Sequence, residues 1–117
     1  MNILAFDTAG NFLSTGLKTD EGFFEENRSS GLHHSEHLLP AVKRLMDHAD
    51  MTFEKLDLIV CSKGPGSFTG LRIGMSTAKG ISAGCNCPVI SINNLDVHAY
   101  RFDFFDGSVV PLIDARK

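Results

Sequence analysis

Apolar residues fall along this chain in short runs whose period changes. Ile3 to Phe6 is a continuous apolar run closed by Asp7-Thr8-Ala9-Gly10, which reads as a buried strand followed by a turn. Phe12 to Lys18 predicts a second strand, Asp20-Glu21-Gly22 a turn, and Phe23 to Asn27 a third strand. The short spacings predict an antiparallel meander. Arg28 to His33 is polar and contains Gly31, so it reads as a loop. The period then becomes helical. Leu38, Val42, Leu45, Met46 and Ala49 form one apolar stripe on a helix that begins near Ser35 and ends by Asp50-Met51-Thr52. Pro40 falls in its early turns, where proline costs least.

Leu56 to Cys61 has little alternation, which predicts a strand covered on both faces. Lys63 to Thr69 is a glycine-rich loop, and a second helix runs from about Ser67 to Ala83 with Gly84 placed as its C-cap. Pro88 to Ile92 predicts a strand, Asn93 to Arg101 a third helix, Phe102 to Gly107 a linker, and Val109 to Ile113 a last strand. The order β-β-β-α-β-α-β-α-β predicts an α/β domain, a mixed sheet of about five strands covered by helices.

Composition narrows the function classes. The chain has 117 residues, which fits one domain, with 43% hydrophobic and 21% charged residues. The net charge is −3 and the pI about 5.9, with the basic residues scattered. A concentrated basic face for direct nucleic-acid binding is therefore not expected. Of the three cysteines, Cys61 lies in an apolar run and reads as a core thiol, and Cys85 and Cys87 flank a turn. That usage predicts a reduced, intracellular protein. The opening Met1 to Phe6 is too short for a signal peptide and no run reaches the length of a membrane span, so a cytoplasmic location without membrane contact is expected.

The most distinctive segment is Gly64-Pro65-Gly66-Ser67-Phe68-Thr69-Gly70-Leu71-Arg72-Ile73-Gly74, which follows a strand and opens a helix. That context suits an anion above a helix N-terminus. However, the run lacks the spacing and the lysine of a P-loop. Ser67 also lacks the flanking glycines of a hydrolase elbow. Ser67 reads instead as an N-cap. Gly70, Gly74 and Ala78 then form a smooth stripe against which a backbone can pack closely, on the first helix or on a partner's helix.

His33-His34-Ser35-Glu36-His37 invites a metal reading, since His33 and His37 are four apart. The helix start falls after His33, which spoils the shared face, and no third ligand is near in sequence. These histidines read as solvated or capping residues at a helix start. His48 and His98 are isolated.

Taken together, Asp7-Thr8-Ala9, the His34-Ser35-Glu36-x-Leu38-Leu39-Pro40 run, Gly64 to Gly74 and the closing Asp114-Ala115-Arg116 resemble the TsaB (YeaZ) family over the whole chain. The resemblance implies an actin-like ATPase (ribonuclease H-like) fold. It also implies a role as a non-catalytic scaffold in making N6-threonylcarbamoyladenosine at position 37 of tRNA. The implied partners are a catalytic TsaD-like paralogue and a TsaE-like ATPase, with a homodimer as a further form; tRNA is reached only through the complex. Pairing through the helices of the N-terminal lobe is implied. The positions concerned are His34, Leu38, Leu39, Val42 and Met46 on the first helix, the Gly64 to Thr69 run, and Gly70, Arg72, Gly74 and Ala78 on the second.

The resemblance implies no catalytic residue, metal or cofactor. The family's paralogue carries a His-x-x-x-His metal pair where this chain has Asn94 to His98, and a neutral amide is a poor substitute for imidazole. Two alternatives remain: a nucleotide-binding module using Asp7 and Thr8, and the metal-dependent glycoprotease (M22) activity of older descriptions, although no protease constellation is visible. The family continues past Asp-Ala-Arg into a second lobe. Residues 1–107 are therefore expected to form the N-terminal lobe and 108–117 the start of another, its first strand disordered or paired with another chain's sheet edge.

Overall fold

The structure, a computed structural model, describes residues 1–31 and 33–114. Its elements are β1 (Ile3–Asp7), β2 (Phe12–Lys18), β3 (Phe23–Ser29), α1 (His34–His48), a 3-10 turn (Phe53–Lys55), β4 (Leu58–Ser62), α2 (Phe68–Cys85), β5 (Val89–Ile92) and α3 (Asn94–Tyr100). The strands form one sheet in the order β3-β2-β1-β4-β5. The meander is antiparallel, whereas β4 and β5 run parallel to β1 after helical crossovers.

The core lies between one face of the sheet and the two long helices. Leu4, Phe6, Leu13, Leu17, Ile59 and Cys61 project from alternate strand positions onto Leu38, Val42, Leu45, Met46 and Ala78. The helical stripe read from the sequence is therefore the buried face of α1. Burial of this order stabilises by roughly 1.5–3 kcal/mol for each large side chain. Arg44 reinforces the layer, donating to Glu26 of β3 through Nε at 3.1 Å and through a second nitrogen at 2.5 Å. That hydrogen bond holds the Glu26 carboxyl below its ordinary value. The Cys61 thiol is pushed up by burial, as suits a core thiol.

Four expectations are corrected. β4 is not covered on both faces: its burial alternates, with Ile59 and Cys61 inside and Leu58, Val60 and Ser62 only half-buried, because both long helices pack on one side. α2 ends not at Gly84 but at Asn86, which takes the left-handed conformation (φ 54°) and donates its N–H to the Ser82 carbonyl. Asparagine tolerates that region, so glycine is not required. Pro40 lies past the first turn of α1, so its missing N–H is a loss inside the helix. Val109 to Ile113 forms no strand, and Leu112 is 86% exposed. No neighbouring strand offers this run a ladder among the described residues. Of the closing Asp114-Ala115-Arg116, the last two residues lie outside the described residues.

Candidate functional site

Two regions collect the residues singled out from the sequence. The first lies where β1 and β4 end. Asp7 closes β1, and its Oδ1 accepts the Ala9 N–H at 2.8 Å, which folds the turn. Its Oδ2 accepts from Asn94 Nδ2 at 3.1 Å. Asn94, only 5% exposed at the start of α3, also binds the glycine-rich loop twice. The Gly64 N–H donates to Asn94 Oδ1, and the Asn94 N–H donates to the Gly64 carbonyl, both at 2.9 Å. Gly64 has φ +95°, a conformation that favours glycine. One buried carboxamide thus joins the ends of three elements.

Thr8 is the second knot. Buried beneath α2, it donates its hydroxyl to the Gly70 carbonyl at 2.6 Å. The Ser67 N–H donates to the Ala9 carbonyl at 2.7 Å, and Ser67 Oγ accepts the Gly70 N–H at 3.2 Å, which makes Ser67 the N-cap that its position predicted. A Cβ on Gly66 would stand 2.6 Å from the Ala9 oxygen, and one on Gly74 2.5 Å from Thr8 Oγ1; one on Gly70 would strike the Thr8 carbonyl. The smooth stripe therefore admits the β1–β2 turn. At Gly70 and Gly74 the close neighbour is that turn rather than a helix, while Ala78 shares the core with the side chains of α1. The turn backbone approaches within the chain, and Gly70, Gly74 and Ala78 are buried.

His34 departs from its expected solvated or capping role. It is 4% exposed, and its Nε2 donates to the Gly10 carbonyl at 2.6 Å while Nδ1 pairs with Ser30 Oγ at 2.8 Å. It fastens the start of α1 to the β1–β2 turn. The exposed His33 lies 3.6 Å from Glu36 and edge-on to His37. Among the described residues, no three His, Cys, Asp or Glu side chains gather into a group able to hold a metal.

The second region is the outward side of α1 and α2. Leu38, Val42 and Met46 are buried, but Leu39 is 54% and Phe68 73% exposed. Pro65, Thr69 and Arg72 are exposed as well. An open groove between the helices is lined by Leu39, Ser76, Gly80, Ile81 and Gly84, with Glu54 at its edge. Ser76, Gly80 and Gly84 repeat every four residues, a second small stripe on α2, and a Cβ on either glycine would meet nothing within 4 Å. The spacing of this stripe was visible in the sequence. Which of the two stripes faces outward was not. Nor did any sequence signal mark Asn94 as a clamp.

A TsaB protein of Bacillus subtilis, named for tRNA threonylcarbamoyladenosine biosynthesis, is 36% identical over 118 residues, covering 100% of this chain and 52% of that one. The TsaB of Escherichia coli is 31% identical, covering 99% and 51%. The family model of TsaD, tRNA N6-adenosine threonylcarbamoyltransferase, matches residues 28–117. The chain belongs to the TsaB (YeaZ) branch of that family.

Among solved structures, YeaZ from Pseudomonas aeruginosa superposes with a TM-score of 0.80 at 29% identity, covering 88% of this chain and 50% of that one. Thermus thermophilus RuvC, at 8% identity and a TM-score of 0.54, shares the fold alone. The α/β sheet of the actin-like, ribonuclease H-like class expected from the sequence is therefore present. This TsaB-family chain spans about half the length of the curated relatives it matches. A protein of Zymomonas mobilis named tRNA N6-adenosine threonylcarbamoyltransferase is 32% identical over 100 residues, covering 80% of this chain and 27% of that one. No helix among the described residues is long and apolar enough to cross a membrane.

Proposed function

We propose that this chain serves the biosynthesis of N6-threonylcarbamoyladenosine in tRNA as a non-catalytic, cytoplasmic partner that docks on a TsaD-like transferase through the outward side of α1 and α2. A TsaE-like ATPase joins the assembly, a second copy of the chain competes for the same face, and tRNA is reached through the partners. The exposed face differs from the positions that the family resemblance implies. Leu39, Phe68, Thr69 and Arg72 stay on it, while Ser76, Gly80 and Gly84 replace the buried Gly70, Gly74 and Ala78.

The observation that carries this reading is the open pair Gly80 and Gly84. Each glycine inside a helix costs about 0.5–1 kcal/mol against alanine. Among the described residues, nothing lies within 4 Å of where a Cβ on either one would stand. A smooth floor beside the exposed Leu39 suits the close approach of another backbone. The first region supports the non-catalytic half of the proposal, because Asp7, Thr8 and Asn94 are hydrogen-bonded to their own chain.

Isothermal titration of this chain into the transferase of the same organism tests the proposal. Saturable one-to-one binding is expected, weakened at least about tenfold by Gly80→Leu with the fold retained by circular dichroism. Equal binding by wild type and Gly80→Leu would overturn the assignment of the face.

A further inference from the structure

We infer that the partner meets α2 with an acidic face whose carboxylates lie about two helical turns apart, one for Arg72 and one for Lys79. The inference rests on the docking reading above and adds the partner's chemistry. α2 spans 18 residues, and Arg72 and Lys79 are its only charged side chains. The chain as a whole is net negative at −3, so this helix is a positive strip on an acidic protein.

The two cations share a row. Seven residues bring a helix round to within about 20° of the same direction, with a rise of roughly 10.5 Å. Both are exposed, and neither forms an ion pair with a described residue. Arg72 is also held in place: its guanidinium carbon lies 5.4 Å from the centroid of the exposed Phe68 ring. A cation–π contact of this kind restrains a long side chain before binding and lowers the entropy lost on docking. A guanidinium so presented suits bidentate contact with a carboxylate.

The row borders the smooth floor, since Ser76 lies one turn beyond Arg72 and Gly80 adjoins Lys79. Glu54 lines the groove itself, its carboxyl held below the ordinary value by hydrogen bonds from its own backbone N–H and the Thr52 hydroxyl. Arg72 and Lys79 stand outside the groove lining, on the row beside Ser76, while Glu54 is a charged side chain within it. An acidic face set on the Arg72 and Lys79 row, clear of Glu54 in the groove, meets opposite charge and avoids like charge, which orients the partner.

The test measures association of the chain with the same organism's transferase at several sodium chloride concentrations. The double variant Arg72→Glu, Lys79→Glu is expected to lose on the order of 10–100-fold in affinity, mainly through the association rate, and to lose the salt dependence. Arg72→Gln, Lys79→Gln serves if the reversed variant fails to fold, with a smaller loss in the same direction. If Gly80→Leu abolishes binding while the charge variants keep wild-type affinity and salt dependence, the inference falls and the docking face stands. If all variants bind as wild type, both fall.

Discussion

The Thr8 hydroxyl donates to the Gly70 carbonyl at 2.6 Å, and the Thr8 carbonyl lies where a side chain on Gly70 would have to stand. The turn after β1 and the first turn of α2 are thus pressed together with no room for a methyl group. Gly70→Ala is expected to destabilise the chain by about 1–3 kcal/mol, the usual consequence of overpacking. Gly80→Ala, on the open stripe, should stabilise it by about 0.5–1 kcal/mol through helix propensity. Urea unfolding of the two variants checks the opposite signs; a loss at both positions would mean that Gly80 is packed.

Asn94 joins Asp7 to both hydrogen-bonding groups of Gly64. Asn94→Ala removes the side-chain bonds and leaves the Gly64 N–H without its acceptor. A loss of about 1–3 kcal/mol is expected. Asn94→Asp keeps the shape but sets a second carboxylate against Asp7. Like charges favour the protonated form in the folded state, so that variant should gain stability as pH falls from 7 towards 5. Denaturant midpoints at the two pH values report the sign.

The Glu26–Arg44 pair gives a pH dependence in the other direction. The hydrogen bond from Arg44 lowers the Glu26 carboxyl from its ordinary 4.5. Its contribution is therefore complete above 4.5 and fades as pH falls through the lowered folded-state value. The pair is partly exposed and screened by solvent, so the effect is small. In Arg44→Gln, the stability curve below pH 4.5 should be flatter than in wild type; parallel curves would assign the acid loss to other groups.

His34 offers a fourth test. His34→Ala leaves the Gly10 carbonyl and the Ser30 hydroxyl without partners and should cost about 1–3 kcal/mol. Amide exchange at the turn of residues 8–10 should quicken more than exchange in β5, which His34 does not touch.

Much of the fold was legible because it follows from periodicity. The bounds of β2 and the buried stripe of α1 follow directly from their apolar spacing. The helical limits failed at Gly84 and Asn86, where composition favoured glycine but the left-handed residue is asparagine. The site was less legible for a different reason. Gly70, Gly74 and Gly80 look alike in sequence, and only the tertiary position of Thr8 separates the packed pair from the open one. Likewise, the burial of His34 depends on the Gly10 carbonyl, 24 residues away. Local pattern carries no information about that meeting.

The central place of β1 has a kinetic consequence. Its antiparallel partner β2 follows after a turn, but its parallel partner β4 arrives much later; the Asn2 N–H beside that ladder finds Asp57 across a separation of 55 residues. The meander can close quickly at little entropic expense, whereas the parallel half waits for a long loop to close around α1. The slow step of folding therefore falls on the arrival of β4, and core substitutions at Ile59 or Cys61 should change the folding rate more than substitutions at the tip of the β2–β3 hairpin.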